Sequence, residues 1–279
     1  MASFAIVKDS TACVPRDLVR QYQVKIVPLN LIWDGKLYRD TIDLTAEQFY
    51  QRLSQSHRPP TTSPPAADDL IALYNQLSET HDGILSIHLS GEYSRTVDIA
   101  HYAARQVSVP VDVIDSRSVS MGLGFVVLAA ARARADGATM SEAAAKARAL
   151  TPRIQVRMFV ESLRYLQLGG RIGAAQRWVG SALDHKPILS VQDGRTGVVG
   201  QARGRKAALK ALIDQVAIQA GTRPLHLAVV HALAPLDALW LYDQVVDEFN
   251  CVEHHYVELS PVLGTHVGPG CVGVAFYVD

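Results

Sequence analysis

Cysteine is scarce in this chain. Cys13, Cys251 and Cys271 are odd in number and far apart, and no CxxC spacing occurs. A disulfide framework or a structural zinc site is therefore not expected, and a reducing compartment fits. An excess of one charge is also lacking: 27 basic residues balance 27 acidic ones, and no long basic block appears. The electrostatic footprint of a nucleic-acid binder is missing. No apolar run approaches the roughly 18 residues of a membrane helix, so stable membrane insertion is not expected. The opening stretch Met1-Ala2-Ser3-Phe4-Ala5-Ile6-Val7-Lys8-Asp9 has no charged segment leading into a long apolar one. A signal peptide is not expected, and the expected location is the cytoplasm. Gly122-x-Gly124 does not extend to the full G-x-G-x-x-G fingerprint behind a strand, and no His/Cys/Asp spacing suits a metal. No cofactor or metal is expected.

What the chain does have is ordinary material for a large folded core: 279 residues, 48% hydrophobic and 19% charged. The first half alternates short apolar runs with amphipathic or Ala-rich stretches. Ala5-Ile6-Val7, Ile84-Leu85-Ser86-Ile87 and Val111-Asp112-Val113-Ile114 read as strands. Asp34-Gly35 is a hairpin signal, and Thr45-x-x-Gln48 and Thr139-x-x-Glu142 are capping boxes that open helices. Tyr93 to Val107 is predicted helical. His57 to Pro65 reads as a loop, with Ser63 capping the next helix and Pro64 in its first turn. In the second half, a helix is predicted from Ala174 to Leu183, and Val272 to Val278 closes a further set of strands. The fold class expected is α/β with two domains. Residues 1–150 form a mostly parallel sheet flanked by helices, and residues 151–279 form an α/β unit with mixed or antiparallel pairing.

Ligands in open parallel sheets bind beyond the carboxyl ends of the strands. Asp9-Ser10, His88-Leu89-Ser90-Gly91 and Asp115-Ser116 all fall at such ends. The candidate ligand residues are Thr62, Ser63, Ser90, Gly91, Arg171 and His266. Hydroxyls, a guanidinium fork, an imidazole and flexible backbone are the groups that hold a carboxylate. His266 is expected in a loop shaped by Gly264, Gly268, Pro269 and Gly270. A competing reading is a serine-dependent ester or thioester hydrolase using Ser90 and His266, although Leu89-Ser90-Gly91 lacks the flanking glycines of a nucleophile elbow.

In order, Ile6-Val7-Lys8-Asp9-Ser10-Thr11-Ala12, Thr62-Ser63, Leu89-Ser90-Gly91-x-Tyr93, Asp115-Ser116, Leu166-x-x-Gly169-Gly170-Arg171-Ile172, Lys186-Pro187-Ile188-Leu189 and Gly264-Thr265-His266-x-Gly268-Pro269-Gly270 make the chain resemble the DegV family of bacterial fatty-acid-binding proteins. Each motif is weak alone; their order over nearly the full length is specific. Two departures occur. Pro64 stands where the family usually has glutamine, and the segment from Ile87 to Ser90 is short. The resemblance implies one long-chain fatty acid buried between two α/β domains, its carboxylate held at Thr62, Ser90, Arg171 and His266. It also implies a separate ATP-dependent fatty acid kinase as partner, with an acyl phosphate as product and no chemistry by the binding protein itself. Leu123, Phe125, Leu163, Leu166 and Ile172, with Leu168, Val179 and Leu183, are candidates for the acyl pocket. Arg203, Arg205 and Lys206 form a basic cluster that is a candidate contact for the kinase.

Overall fold

The computed structural model describes residues 3–56, 58–179 and 185–279. Strand β1 (Phe4–Asp9) opens the chain, followed by α1 (Arg16–Gln21), β2 (Lys25–Val27), the hairpin β3 (Asn30–Trp33) and β4 (Lys36–Arg39), α2 (Ala46–Gln55), β5 (Thr61–Ser63), α3 (Ala67–Ser78), β6 (Gly83–His88), α4 (Thr96–Ala104), β7 (Val111–Asp115), α5 (Ser120–Ala135) and α6 (Met140–Leu150). The second part holds β8 (Gln155–Phe159), α7 (Arg164–Leu168), β9 (His185–Gln192), β10 (Arg195–Arg203), α8 (Arg205–Ala220), β11 (Leu225–His231), α9 (Pro235–Glu248), β12 (Cys251–Glu258), α10 (Pro261–Val267) and β13 (Val272–Val278).

The expected α/β architecture is present. A parallel sheet of order β2-β1-β6-β7 is matched by a mixed sheet of order β10-β9-β8-β13-β11-β12, in which only β11 and β12 run parallel. Strand alternation splits the core. Ala5 and Val7 face α3 and α4 through Leu70, Tyr74, Val97 and Ala100. Phe4 and Ile6 face the opposite way, toward α5 and α6. In the mixed sheet, Leu227, Val229, Val274 and Phe276 meet α8 and α9, whereas Ala228, Val230 and Ala275 join the cluster that contains α5. Helix α5 thus lies between the two sheets, which is why Met121 to Leu128 is buried on every side. Gly122 and Gly124 permit that approach. A Cβ on Gly122 would stand 2.7 Å from Val156 Cγ2, and one on Gly124 2.7 Å from the Ala12 carbonyl. These glycines serve packing, not a ligand.

Both capping boxes form as the sequence predicts, at Thr45–Gln48 and at Thr139–Glu142. Four local expectations fail. Thr61–Ser63 is an edge strand, pairing antiparallel with Asn30–Ile32, because its backbone groups find partners across space that composition does not reveal. Ser63 therefore caps nothing: α3 begins at Ala67, and its N-cap Ala66 has no side-chain bond. The helix expected from Tyr93 starts only at Thr96, because a turn bonding Tyr93 N–H to Ser90 carbonyl precedes it. The helix expected from Ala174 to Leu183 is a 3₁₀ segment over Gly173–Trp178, and residues 180–184 lie outside the described residues. No described helix is long and apolar enough to cross a membrane.

Candidate carboxylate-binding site

His266 sits on a helix, not in a loop. Pro261 at the first position and Gly268 just past the end, with φ of 70°, delimit α10. Asp40, fully buried, accepts the Val262 N–H at 3.2 Å and so holds the helix start in place. Burial raises the Asp40 carboxyl to about 6. At the other end of α10, His266 Nε2 lies 2.8 Å from Thr62 Oγ1 of β5. Its Nδ1 is buried without a hydrogen-bond partner among the described residues. Burial, and then the charge of Arg171, lower the imidazole to about 4, so it is neutral at physiological pH. Gly169 makes room for the ring: a Cβ there would stand 2.2 Å from Nδ1.

Arg171 is fixed by backbone carbonyls. Nε and Nη2 donate to the Tyr93 carbonyl at 3.0 and 2.8 Å, and Nη1 donates to Gly169 at 2.5 Å. The late start of α4 matters here, because a helical Tyr93 would have its carbonyl engaged by the fourth residue on. Thr196 Oγ1 completes the web, donating to the Arg171 carbonyl at 2.7 Å and lying 3.1 Å from Tyr93 Oη. No carboxylate pairs with Arg171 among the described residues, and each Nη keeps an N–H not engaged in these bonds.

These side chains divide two spaces. On one side is a cavity of about 210 Å³ whose wall includes Leu29, Leu89, Val119, Met158, Leu166, Leu189, Val191, Val262 and Leu263, with Thr62, Ser63, Tyr93, Ser94, Arg95, Arg171, Thr196 and His266 as its polar lining. On the outer side is a vestibule of about 440 Å³, lined by Arg58, Pro59, Pro60, Arg164, Tyr165 and Leu168 and sharing Thr62, Arg171 and His266. Thr62, Arg171 and His266 thus form a partition between a mostly apolar chamber and a more polar one. Pro64, the departure from the family pattern, adds apolar wall to the inner cavity, and Asn30 Nδ2 ties down its carbonyl at 3.1 Å.

The structure brings Thr62, Ser63, Arg171, His266 and Leu166 to this cavity, but not the other candidates. Ser90 is fully buried and donates its hydroxyl to the Gly194 carbonyl at 2.8 Å, because the β9–β10 turn packs on its loop. Gly91 N–H is bonded to Asp115 at 3.2 Å. Ser90 therefore shapes the loop that carries Leu89 and Tyr93, and Asp9 steadies it by accepting the Leu89 N–H at 2.8 Å. The Ser90–His266 pair of the hydrolase reading is not formed: each group has a different partner. Leu123 and Phe125 belong to the core around α5, where Phe125 packs on Tyr277. Leu163 and Ile172 pack in the same cluster without reaching the cavity. Leu168 lines the vestibule, Val179 is exposed away from the cavity, and Leu183 lies outside the described residues. Arg203, Arg205 and Lys206 lie at the β10–α8 junction and line neither space. Arg205 is engaged by Glu161, Asp237 and the Gly270 carbonyl. Sequence reasoning missed Thr196, Met158, Leu189 and Val191 as wall residues. Alternation in β9 is the signal that could have found Leu189 and Val191, and Tyr93 stood in a quoted motif without a role.

Comparison with known proteins gives one consistent answer. A DegV family model, described as a family of uncharacterised proteins, matches residues 3–279. A DegV domain-containing protein of Streptomyces coelicolor is 38% identical over 97% of this chain and 96% of its own length. Among solved structures, a DegV family protein from Thermus thermophilus described by its fatty acid binding superposes with a TM-score of 0.94 at 32% identity, covering 99% of this chain and 100% of that one. DegV from Bacillus subtilis, described as a fatty acid binding protein, superposes with a TM-score of 0.93 at 29% identity, with 100% of both chains covered. This chain belongs to the DegV family.

Proposed function

We propose that this protein binds one long-chain fatty acid, with the tail in the inner cavity and the carboxylate at the partition. The observation that carries this reading is Arg171: a rigidly held guanidinium, without a protein carboxylate among the described residues, in the polar lining of a mostly apolar chamber. A cation held partly out of water favours an anion beside it, and the apolar wall behind it selects one with a hydrocarbon tail. Each buried CH₂ contributes about 0.8 kcal/mol, so the tail supplies most of the affinity and the head group fixes orientation. In the Nε2–H tautomer, neutral His266 donates to Thr62 Oγ1, which turns the Thr62 hydroxyl proton toward the ligand. Arg171 supplies the charge and Thr62 the second donor. Ser63 lies on the same wall, whereas Ser90 acts through its loop.

The family resemblance extends the reading to a separate kinase in the cytoplasm. The carboxylate oxygen attacks the γ-phosphorus of ATP, the bond from γ-phosphorus to the β–γ bridging oxygen breaks, and ADP leaves. The acyl phosphate carries the added negative charge and no proton is consumed. In this reading, the vestibule on the carboxylate side is the route for phosphoryl transfer. The test is denaturing extraction of purified protein with mass spectrometry, followed by titration of lipid-stripped protein with palmitate or oleate. A stoichiometric fatty acid and saturable rebinding are expected. An empty protein that binds neither acid overturns the reading.

A further inference from the structure

The inner cavity lies on one face of the mixed sheet, where Met158 and Leu189 of its wall pack. The other face carries α8 and α9, which bury Leu209, Leu212, Leu241 and Val245 against it. Between these helices, on the solvent side, runs a groove of about 760 Å³. Its floor is apolar, made by Leu209, Ile213 and Trp240. Trp240 is 44% exposed, and Leu236, one turn before it on α9, is 82% exposed. Arg205 at the start of α8 pairs with Asp237 in the first turn of α9, so the two helix starts lie together. Along the groove, the charges therefore run from Lys206 and Lys210 near that end to Asp214 and Glu248 beyond. None of these four has an ion-pair partner among the described residues.

We propose that this groove is a self-complementary face on which a second copy of the chain docks about a twofold axis. An exposed apolar floor rimmed by polar groups marks an interaction surface, and the charges on the rim decide the occupant. A partner of uniform charge would meet a like charge at one end, which opposes association. A twofold axis across the groove instead reverses the second copy. Lys206 and Lys210 of each chain then face Asp214 and Glu248 of the other, and both sets of contacts form at once, because an isologous interface uses the same patch twice. Trp240 and Leu236 leave water between the two rims, where large aromatic anchors contribute most. The cavity lies on the other face of the sheet, so docking here leaves it uncovered.

Sedimentation equilibrium over a range of protein concentrations tests this face. Wild type is expected to pass from monomer to dimer as concentration rises. Two charge-reversed variants are then compared, Lys206→Glu/Lys210→Glu and Asp214→Lys/Glu248→Lys. All four side chains are exposed, and an unchanged melting curve checks that each variant folds. Either variant alone places like charges across the axis and should weaken the dimer about tenfold or more. Mixed in equal amounts, the two should restore it to within about threefold of wild type, since every contact again joins opposite charges. Trp240→Ala should weaken the wild-type dimer about tenfold. A wild type that stays monomeric at every concentration overturns the second copy as occupant, in favour of a different protein, and leaves the fatty-acid reading intact. A dimer indifferent to both charge reversals and to Trp240→Ala lies elsewhere and overturns the groove. Charge variants that are monomeric both alone and mixed overturn the reversed pairing.

Discussion

Two partly buried arginines in this molecule are held in opposite ways. Arg132 of α5 meets Glu253 of β12, which also accepts from His226 Nδ1 at 2.7 Å and His255 Nε2 at 2.8 Å. Burial pushes the Glu253 carboxyl up, but these hydrogen bonds and the Arg132 charge outweigh it and hold the group far below the usual carboxylate range. Stacking of His226 on Tyr277, centroids 4.2 Å apart, closes the cluster. Arg171 has backbone carbonyls and, among the described residues, no acid. Carbonyls orient a guanidinium without neutralising it. The difference teaches that an arginine already matched by acid joins elements of the fold, whereas one that is merely oriented has capacity left for a ligand.

The largest effect that separates them is on binding. Arg171→Ala is expected to weaken fatty acid affinity about a hundredfold, since it leaves a buried carboxylate without its cation. Arg171→Lys recovers only part, because an ammonium cannot fork between the Tyr93 carbonyl and a head group. Calorimetric titration checks both, and wild-type affinity in Arg171→Ala would break the comparison. Arg132→Ala should do the converse. It should leave fatty acid affinity unchanged and lower stability in urea by about 2 kcal/mol, discounted because Arg132 is a third exposed.

A smaller effect is expected at the imidazole. Thr62→Val removes the relay hydroxyl, and Gly169→Ala pushes the His266 ring off Thr62 by steric contact alone. Each should weaken binding about tenfold, and together by less than the product, because both disable one hydrogen-bonded unit.

The smallest effect is a titration. The ring of His266 should report an inflection near 4 in lipid-free protein, by NMR. A folded pKa below the unfolded value near 6.5 means that the unfolded chain takes up the proton first as pH falls. The contribution of His266 to stability is therefore complete above about 6.5 and is lost as pH drops through 6.5 toward 4. A bound carboxylate offsets the charge of Arg171, so loading with palmitate should raise the inflection. An inflection that does not move on loading would separate His266 from the head group.

The sequence carried what depends on near neighbours. The Thr45 and Thr139 caps, the Asp34-Gly35 turn and the strand at Ala5-Ile6-Val7 are short-range rules, and all hold. The polar residues of the partition were also legible, because motifs bring Thr62, Arg171 and His266 to notice by residue type and order. What local rules did not carry depends on contacts far apart in the chain. The hydroxyl of Ser90 bonds the Gly194 carbonyl, 104 residues away, which no local pattern shows. Leu123 and Phe125 look like pocket residues until α5 is found between two sheets.

By itself, then, the sequence determined the α/β class, the order of the motifs and the chemistry available to hold an anion. Those follow from local propensity, hydrophobic period and side-chain inventory. Only the tertiary structure decided which of those groups remain unpaired. Hydrogen-bond capacity left over is a property of the whole fold, since any donor can be taken by a carbonyl from a distant strand. That is why Arg171 and Ser90, equally plausible in sequence, part company once the β9–β10 turn closes over one and no acid among the described residues reaches the other.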